Sequence, residues 1–175
     1  MPDITFLILS DSHGRSDFID LALRRVAPDG VLFAGDGLLD LTRCQELTCP
    51  LWAVRGNCDF LAAEPLVIGG SLYTPEDEAV FAVEGVRILL MHGHLRGVKS
   101  GLDRAVCRAA EVGADILIFG HTHQPLERRL TPEAVPSLQK PLTLFNPGSM
   151  GDWRHASFGT LTFRRGEYLL GHGEL

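Results

Sequence analysis

The sequence lacks the features of a membrane, secreted or broadly nucleic-acid-binding protein. No apolar run approaches the roughly 18 residues that a membrane-spanning helix needs. The N-terminal apolar run is short and has no basic region before it, so we interpret it as a first strand and expect a cytoplasmic location. Basic residues number 16 against 22 acidic ones, and this net charge of −6 argues against a broad nucleic-acid-binding surface.

Paired cysteines and internal repeats are also missing. The four cysteines, Cys44, Cys49, Cys58 and Cys107, are irregularly spaced and form no CxxC motif, which argues against a zinc ribbon or a redox motif. A disulfide framework is not expected in a chain of 175 residues without an export signal. This length suits a single domain, residues 1–175, with a sizeable buried core.

The chain does contain alternating strand-like and helix-like segments. Helical spacing covers Ser16 to Pro28, with Ser16 as the expected N-cap, and Ser100 to Asp115, with Gly113 as the expected stop. A hairpin with Glu84-Gly85 at its turn is predicted over residues 79–94. Helices between strands early in the chain, and strands late in it, predict an α/β fold in which sheet packs on sheet with helices outside.

Five of the apolar runs end in polar clusters of metal-ligand type. The clusters are Ser10-Asp11-Ser12-His13-Gly14, Gly35-Asp36-Gly37, Gly56-Asn57-Cys58-Asp59, His92-Gly93-His94 and Gly120-His121-Thr122-His123. Any one of them alone is ordinarily a cap or a turn. Because ligands bind outside the carboxyl ends of strands in open α/β sheets, five such ends together predict one shared metal site.

The residue types indicate two divalent cations. A carboxylate can bridge two ions whereas an imidazole cannot, so Asp36 is the predicted bridge. We assign Asp11, His13 and His123 to one ion, and Asn57, His92 and His121 to the other. This mixed ligand set favours Mn²⁺, which we place first, or Ni, Co, Fe or Zn, over Mg²⁺ or Ca²⁺. Ligands two residues apart point the same way only where the backbone stays extended; at a turn they can serve different ions.

In this order along the chain, the five clusters resemble the calcineurin-like metallophosphoesterase superfamily. The likeness is strongest to its small single-domain phosphodiesterases from bacteria and archaea, and it extends from Asp11 to the NPGS at residues 146–149. The resemblance implies a two-sheet β-sandwich flanked by helices, with a di-metal site at the sheet edge. It also implies hydrolysis of phosphodiesters by a metal-activated water or hydroxide, with His94 and Asn57 near the substrate.

One position departs from much of that superfamily. Where many members have Gly-Asn-His, this chain has Gly56-Asn57-Cys58, as the small phosphodiesterase group also tends to have. The candidate catalytic residues are therefore His94, Asp59 and Cys58, and the identity of a general acid stays open. We expect Asp59 to orient a neighbour by a hydrogen bond.

Two other functions stay open at this point. A retromer subunit shares this fold and similar motifs but serves as a scaffold, so a non-catalytic metal-binding protein is one alternative. A phosphomonoesterase is the other. The expected partner is a small phosphoester, with no membrane, and the sequence leaves a homo-oligomer open. We expect His155 and His172 to lie at the surface, and Arg55 to form a salt bridge more readily than to contact phosphate.

Overall fold

The computed structural model describes residues 2–60 and 65–175. The strands are β1 (Ile4–Leu9), β2 (Gly30–Phe33), β3 (Leu51–Ala53), β4 (Leu66–Ile68), β5 (Ser71–Tyr73), β6 (Glu78–Val83), β7 (Val86–Met91), β8 (Ile116–Phe119), β9 (Leu126–Leu130), β10 (Leu142–Asn146), β11 (Ser157–Arg164) and β12 (Glu167–Glu174). The helices are α1 (Ser16–Val26), α2 (Leu38–Leu41) and α3 (Asp103–Glu111), with a 3-10 helix at His94–Arg96. Within the described ranges no helix is long and apolar enough to cross a membrane.

Two five-stranded sheets form the centre of the fold. Their strand orders are β12-β11-β1-β2-β3 and β6-β7-β8-β10-β9, and β4 pairs with β5 in a separate hairpin. Strands β1, β2 and β3 are parallel, and so are β7, β8 and β10. In each sheet, therefore, the carboxyl ends of these strands lie at one edge, and the polar clusters that follow them come close together.

The sheets face each other across a buried apolar core. Phe6, Ile8 and Leu32 of the first sheet pack in one cluster with Ile88 and Ile116 of the second. The opposite face of the first sheet packs against α1 and α2, and that of the second sheet packs against α3. The predicted fold class, a two-sheet sandwich flanked by helices, is confirmed.

Several local predictions can be compared with the structure. Glu84 and Gly85 have φ of 50° and 81° between β6 and β7, so the predicted two-residue hairpin turn is confirmed. Gly113 has φ of 64° just after α3, which confirms it as the helix stop. The prediction of Ser16 as N-cap was wrong, because Ser16 is the first residue of α1 and Arg15 precedes it without a capping side chain.

The sequence did not predict α2, β4 or β5. Each has only three or four residues, too few for a period of 3.6 or 2 to stand out.

Candidate metal centre

Backbone hydrogen bonds join the loops that follow the parallel strands. The amide of Asp11, after β1, donates to the carbonyl of Gly35, after β2, at 2.9 Å. The amide of Gly120, after β8, donates to the carbonyl of His92, after β7, at 3.2 Å. The amide of His121 also donates to Asp11 Oδ2 at 3.0 Å, so the polar clusters of the two sheets are joined by hydrogen bonds.

The first group of ligand-type side chains contains Asp11, His13 and His123. One ligand atom from each lies within 4.8 Å of the other two. The two Nε2 atoms of the histidines are 3.3 Å apart, and Asp11 Oδ1 lies 3.1 Å from His123 Nε2. These are the residues that the sequence assigned to the first ion.

The second group contains Asp36, His92 and His121, again with ligand atoms within 4.8 Å of one another. His92 Nε2 lies 3.1 Å from His121 Nδ1 and 3.2 Å from Asn57 Oδ1. The Nδ1 of His92 is 2.7 Å from the carbonyl of Ala34, to which it donates as N–H. This bond leaves the Nε2 lone pair facing the other three side chains, as a metal ligand requires.

Asp36 lies between the two groups. It belongs with His92 and His121 on one side, and with His13 and Cys58 in a further set of atoms within 4.8 Å on the other. Asp36 therefore stands where a bridging carboxylate is needed, and the structure also brings the Cys58 thiol to this point.

The backbone turns sharply at most of these positions, which divides His121 and His123 between the two groups. Five of the seven predicted ligands have positive φ: Asp11 (55°), His13 (45°), Asp36 (60°), His121 (67°) and His123 (60°). This left-handed conformation costs a non-glycine residue about 1–2 kcal/mol. Such strain persists where the surrounding structure imposes it, and it concentrates at functional sites.

The geometry fits metal ions. Ligands about 2.1 Å from one ion are about 3.0–3.4 Å from each other in octahedral or tetrahedral arrangements, and the histidine nitrogens of each group have this separation. Asp11 Oδ1 is buried and has no hydrogen-bond partner in the described part of the chain. A buried carboxylate oxygen without a partner is costly, and a cation between it and His123 would remove that cost.

Asp59 holds two of the loops that carry ligand-type side chains, through hydrogen bonds to their backbone. It is 4 % exposed. Its Oδ2 accepts from the amides of Asp36 and Gly56 at 2.8 and 2.9 Å, and its Oδ1 accepts from the amides of Gly37 and Leu38, both at 2.9 Å. All four contacts are to backbone, so the carboxylate holds the loop that carries Asp36.

Sequence reasoning missed three other polar residues that support the centre. Asp40, in α2, is buried and accepts from Ser12 Oγ at 2.6 Å and from the Gly14 amide at 2.8 Å. The signal for it was a single acid inside the apolar run LLDL. Asn146 donates from Nδ2 to the Gly120 carbonyl at 2.9 Å, and Ser149 Oγ donates to the Asp11 carbonyl at 2.9 Å. The NPGS segment at residues 146–149 thus holds two of the ligand loops.

Gly56 and Gly120 lie where a Cβ atom would collide with a neighbouring side chain. A Cβ on Gly56 would lie 2.0 Å from Asp36 Oδ1, and a Cβ on Gly120 would lie 1.9 Å from Ser10 Oγ. The glycines that precede Asn57 and His121 in the sequence motifs therefore let two loops approach the carboxylates closely.

The site shifts the pKa values of its side chains. Burial opposes ionisation of Asp36, but hydrogen bonds from His92 and the Cys58 amide outweigh it and hold the Asp36 pKa well below its usual range. Burial also opposes protonation of His92, yet the contact with Asp36 raises the pKa of that imidazole. Burial, then the charges of His92 and Lys99, lower the pKa of His121 to about 4. Contact with Asp11 raises the pKa of His123.

His94 and Cys58 lie beside the ligands. The ring centroid of His94 is 5.3 Å from that of His92 and 6.2 Å from that of His121. Burial and the neighbouring His92 lower the His94 pKa, which favours a neutral ring. Cys58 is exposed, its amide donates to Asp36 Oδ1 at 2.7 Å, and burial with the charge of Asp36 raises its thiol pKa to about 11.

The residues that the sequence placed outside the site are outside it. His155 is exposed. His172 is at the surface of β12, where its Nε2 is 2.8 Å from the Asn146 carbonyl. Arg55 contacts Asp77 at 3.5 Å and the Pro75 carbonyl at 3.2 Å, so it forms the salt bridge that was expected.

Comparison with known proteins identifies a family. The sequence profile described as the calcineurin-like phosphoesterase superfamily domain matches residues 4–165. Over 119 residues the chain is 37% identical to YsnB, a probable metallophosphoesterase of Bacillus subtilis (strain 168), with 67% of this chain and 63% of that protein covered. Over 122 residues it is 30% identical to the phosphodiesterase YfcE of Escherichia coli (strain K12), with 68% and 56% covered. The match thus spans less than two thirds of each of these relatives.

Solved structures share the fold. A Streptococcus pneumoniae TIGR4 protein described as a predicted phosphoesterase aligns with a TM-score of 0.71 at 23% identity, covering 99% of this chain and 91% of that one. An archaeal phosphodiesterase aligns with a TM-score of 0.66 at 18% identity, covering 97% and 100%. Vps29 from Entamoeba histolytica, complexed with zinc, aligns with a TM-score of 0.65 at 19% identity, covering 98% and 99%. At these identities the likeness concerns the fold alone.

Proposed function

The chain belongs to the calcineurin-like phosphoesterase superfamily, and we propose that it is a metal-dependent hydrolase of small phosphodiesters. The observation that carries this proposal is the pair of ligand groups on the two sides of Asp36. The proposed cofactors are two divalent ions, Mn²⁺ first and Ni, Co, Fe or Zn as alternatives, since the ligands combine imidazole, carboxylate and amide oxygen.

The charges suit an anionic substrate. Two divalent ions carry +4, whereas Asp11 and Asp36 together carry −2, so a loaded centre would be positive within an acidic chain. When bound, the ions would neutralise charge on the phosphate oxygens and activate a water molecule as the nucleophile.

The chain's own residues then have distinct roles. Asp36, held by Asp59, fixes the spacing of the two ligand groups, so Asp59 is a positioning residue. Asn57 and His94 flank the same surface, and the neutral ring of His94 can donate one N–H to a phosphate oxygen. These contacts would orient the phosphorus toward the attacking water.

Hydrolysis joins the water oxygen to phosphorus, breaks the ester P–O bond and releases an alkoxide, which must gain a proton to become an alcohol; in the overall balance this is the proton that the attacking water loses. Neither nearby candidate is a ready acid at neutral pH, because the His94 pKa is lowered and the Cys58 thiol pKa is about 11. An aryl leaving group needs this proton less than an alkyl one. We therefore propose that aryl diesters react much faster than alkyl diesters.

The proposal also covers the number of domains, the cellular location and the binding partners. We propose that residues 1–175 form one domain, and the core cluster that the two sheets share supports this. A cytoplasmic location accords with four free cysteines. The proposed partner is a small phosphoester, with no membrane and no broad nucleic-acid surface, and the proposal is compatible with a homo-oligomer.

A reconstitution assay tests the activity. We expect the chelated protein not to hydrolyse bis(4-nitrophenyl) phosphate, Mn²⁺ to restore turnover, and 4-nitrophenyl phosphate to react more slowly. His92→Ala should lose activity, whereas His155→Ala, at an exposed histidine outside the site, should keep it. Full activity in rigorously metal-free protein would contradict the proposal.

A metal-binding scaffold is the second candidate, because the fold is shared with Vps29. Elemental analysis separates the two candidates when combined with the same assay. Two bound ions per chain without turnover of any diester or monoester would favour the scaffold.

A further inference from the structure

A pocket of about 240 Å³ adjoins the metal centre between the start of β6, the end of β7 and the 3-10 helix at His94–Arg96. Its lining includes Asp77, Glu78, Met91, His94, Leu95 and Arg96. We infer that this pocket binds one ester substituent of the substrate, and that it selects an uncharged, hydroxyl-bearing ring of about the size of a pentose. The inference rests on the proposed function and names the substrate class.

The pocket shares a wall with the site. His94 lines it, and the ring of His94 is 5.3 Å from the ring of the predicted ligand His92. The chain turns at Gly93, whose φ is 100°, and the amide of Arg96 donates back to the Gly93 carbonyl at 3.0 Å. A phosphate at the ligand groups would therefore have one of its substituents next to this pocket.

The volume limits what can enter. A cavity of about 150 Å³ accommodates benzene, so 240 Å³ holds one ring with its substituents. A folded peptide segment or a second nucleotide would exceed it. This size restricts the substrate to diesters with one ring-sized group on this side.

The charged side chains that line the pocket determine which kind of ring it can bind. Glu78 forms salt bridges with two arginines, since its Oε2 is 3.1 Å from Arg96 Nη2 and its Oε1 accepts from Arg108 Nε at 2.7 Å. Within residues 2–60 and 65–175, the Asp77 carboxylate has one ion-pair contact, at 3.5 Å with Arg55, and its side chain is 55% exposed. Its carboxylate can therefore accept hydrogen bonds from hydroxyl groups, and it would repel an anionic substituent.

Apolar contacts complete the subsite. Met91 and Leu95 offer apolar surface to the body of a ring, and Leu95 is 61% exposed, so a larger side chain is tolerated there. A bulkier residue at Leu95 should fill the pocket without disturbing the core.

Two substrates with the same leaving group test the inference. We compare kcat/KM for the 5-(4-nitrophenyl phosphate) diester of methyl ribofuranoside with kcat/KM for methyl 4-nitrophenyl phosphate. Leu95→Trp should lower the ratio about tenfold by occupying the space. Asp77→Asn should lower it about tenfold by removing a charged acceptor. Glu127→Gln, at an exposed carboxylate on β9, is the matched control and should leave the ratio unchanged.

A readout without turnover separates this inference from the proposed function. Saturation-transfer NMR with methyl ribofuranoside and metal-free protein should show contact in the wild type and weaker contact in Leu95→Trp and Asp77→Asn. If that pattern appears but no diester is hydrolysed, the subsite stands and the proposed function falls. If diesters are hydrolysed but neither variant changes the substrate ratio or the NMR signal of methyl ribofuranoside, the subsite inference is wrong.

Discussion

Replacing Asp59 tests whether this residue positions the metal centre or acts directly on the substrate. The carboxylate is 4 % exposed and accepts four backbone amide hydrogen bonds of 2.8–2.9 Å, two on each oxygen. Two of those amides belong to Asp36 and Gly37, on the loop with the predicted bridge. Loss of the carboxylate should therefore affect stability and metal content together.

The magnitude follows from these contacts. A hydrogen bond to a charged group contributes about 1.5–3 kcal/mol, but water entering the space left by Asp59→Ala would replace part of the four bonds. We expect Asp59→Ala to lower the free energy of unfolding by about 3–5 kcal/mol, as when one partner of a buried charged pair is removed. In Asp59→Asn, either orientation of the amide points its NH₂ group at two amide donors, so the expected loss is about 2–4 kcal/mol.

Urea unfolding of the metal-free proteins gives these free energies, and elemental analysis after Mn²⁺ loading gives the ion count. Cys58→Ser, at the exposed neighbouring position, is the control and should stay within about 0.5 kcal/mol of wild type. If Asp59→Ala unfolded within 1 kcal/mol of wild type and still held two ions but had lost turnover, the positioning role would be refuted and a direct catalytic role favoured.

Three further predictions concern the same centre. His121 has φ of 67°, a conformation that glycine adopts more readily than alanine. In urea unfolding, His121→Gly should therefore be more stable than His121→Ala by about 1 kcal/mol, although both variants should bind less metal. Equal stabilities of the two variants would exclude backbone strain at this position. Gly56→Ala places a Cβ against Asp36, the predicted bridge, and should reduce the number of bound ions per chain. Gly171→Ala is the control, because its Cβ would have its nearest contact at 3.4 Å, and it should not change that number. An unchanged ion count in both variants would contradict the close approach of Gly56 to Asp36. The pKa values of His92 and His123 are raised, so these rings keep their protons to higher pH in metal-free protein and must release them to bind an ion. Titration calorimetry should therefore show Mn²⁺ affinity rising with pH, by up to about tenfold per pH unit for each proton released, and levelling off above those pKa values; pH-independent affinity would count against these ligands.

The sequence by itself determined which residue types stand at the ends of the strands. Short apolar runs that end in polar clusters predict β1, β2 and β8, and two strand-like runs on either side of Glu84-Gly85 predict the hairpin. These features are local, because periodicity and turn chemistry depend on a few neighbouring residues. The order of the polar clusters carries the resemblance to the superfamily, and that resemblance implied the sandwich fold.

Only the tertiary structure decided how those clusters meet. His121 and His123 are two residues apart, yet the turn between them divides them between the two ligand groups. The amide of His121 donates to Asp11 Oδ2 across a separation of 110 residues. Asp40, Asp59 and Asn146 take their supporting roles from similar long-range contacts. No local pattern specifies such contacts, because they depend on the parallel strand order, which brings distant loops to one edge of the sheets.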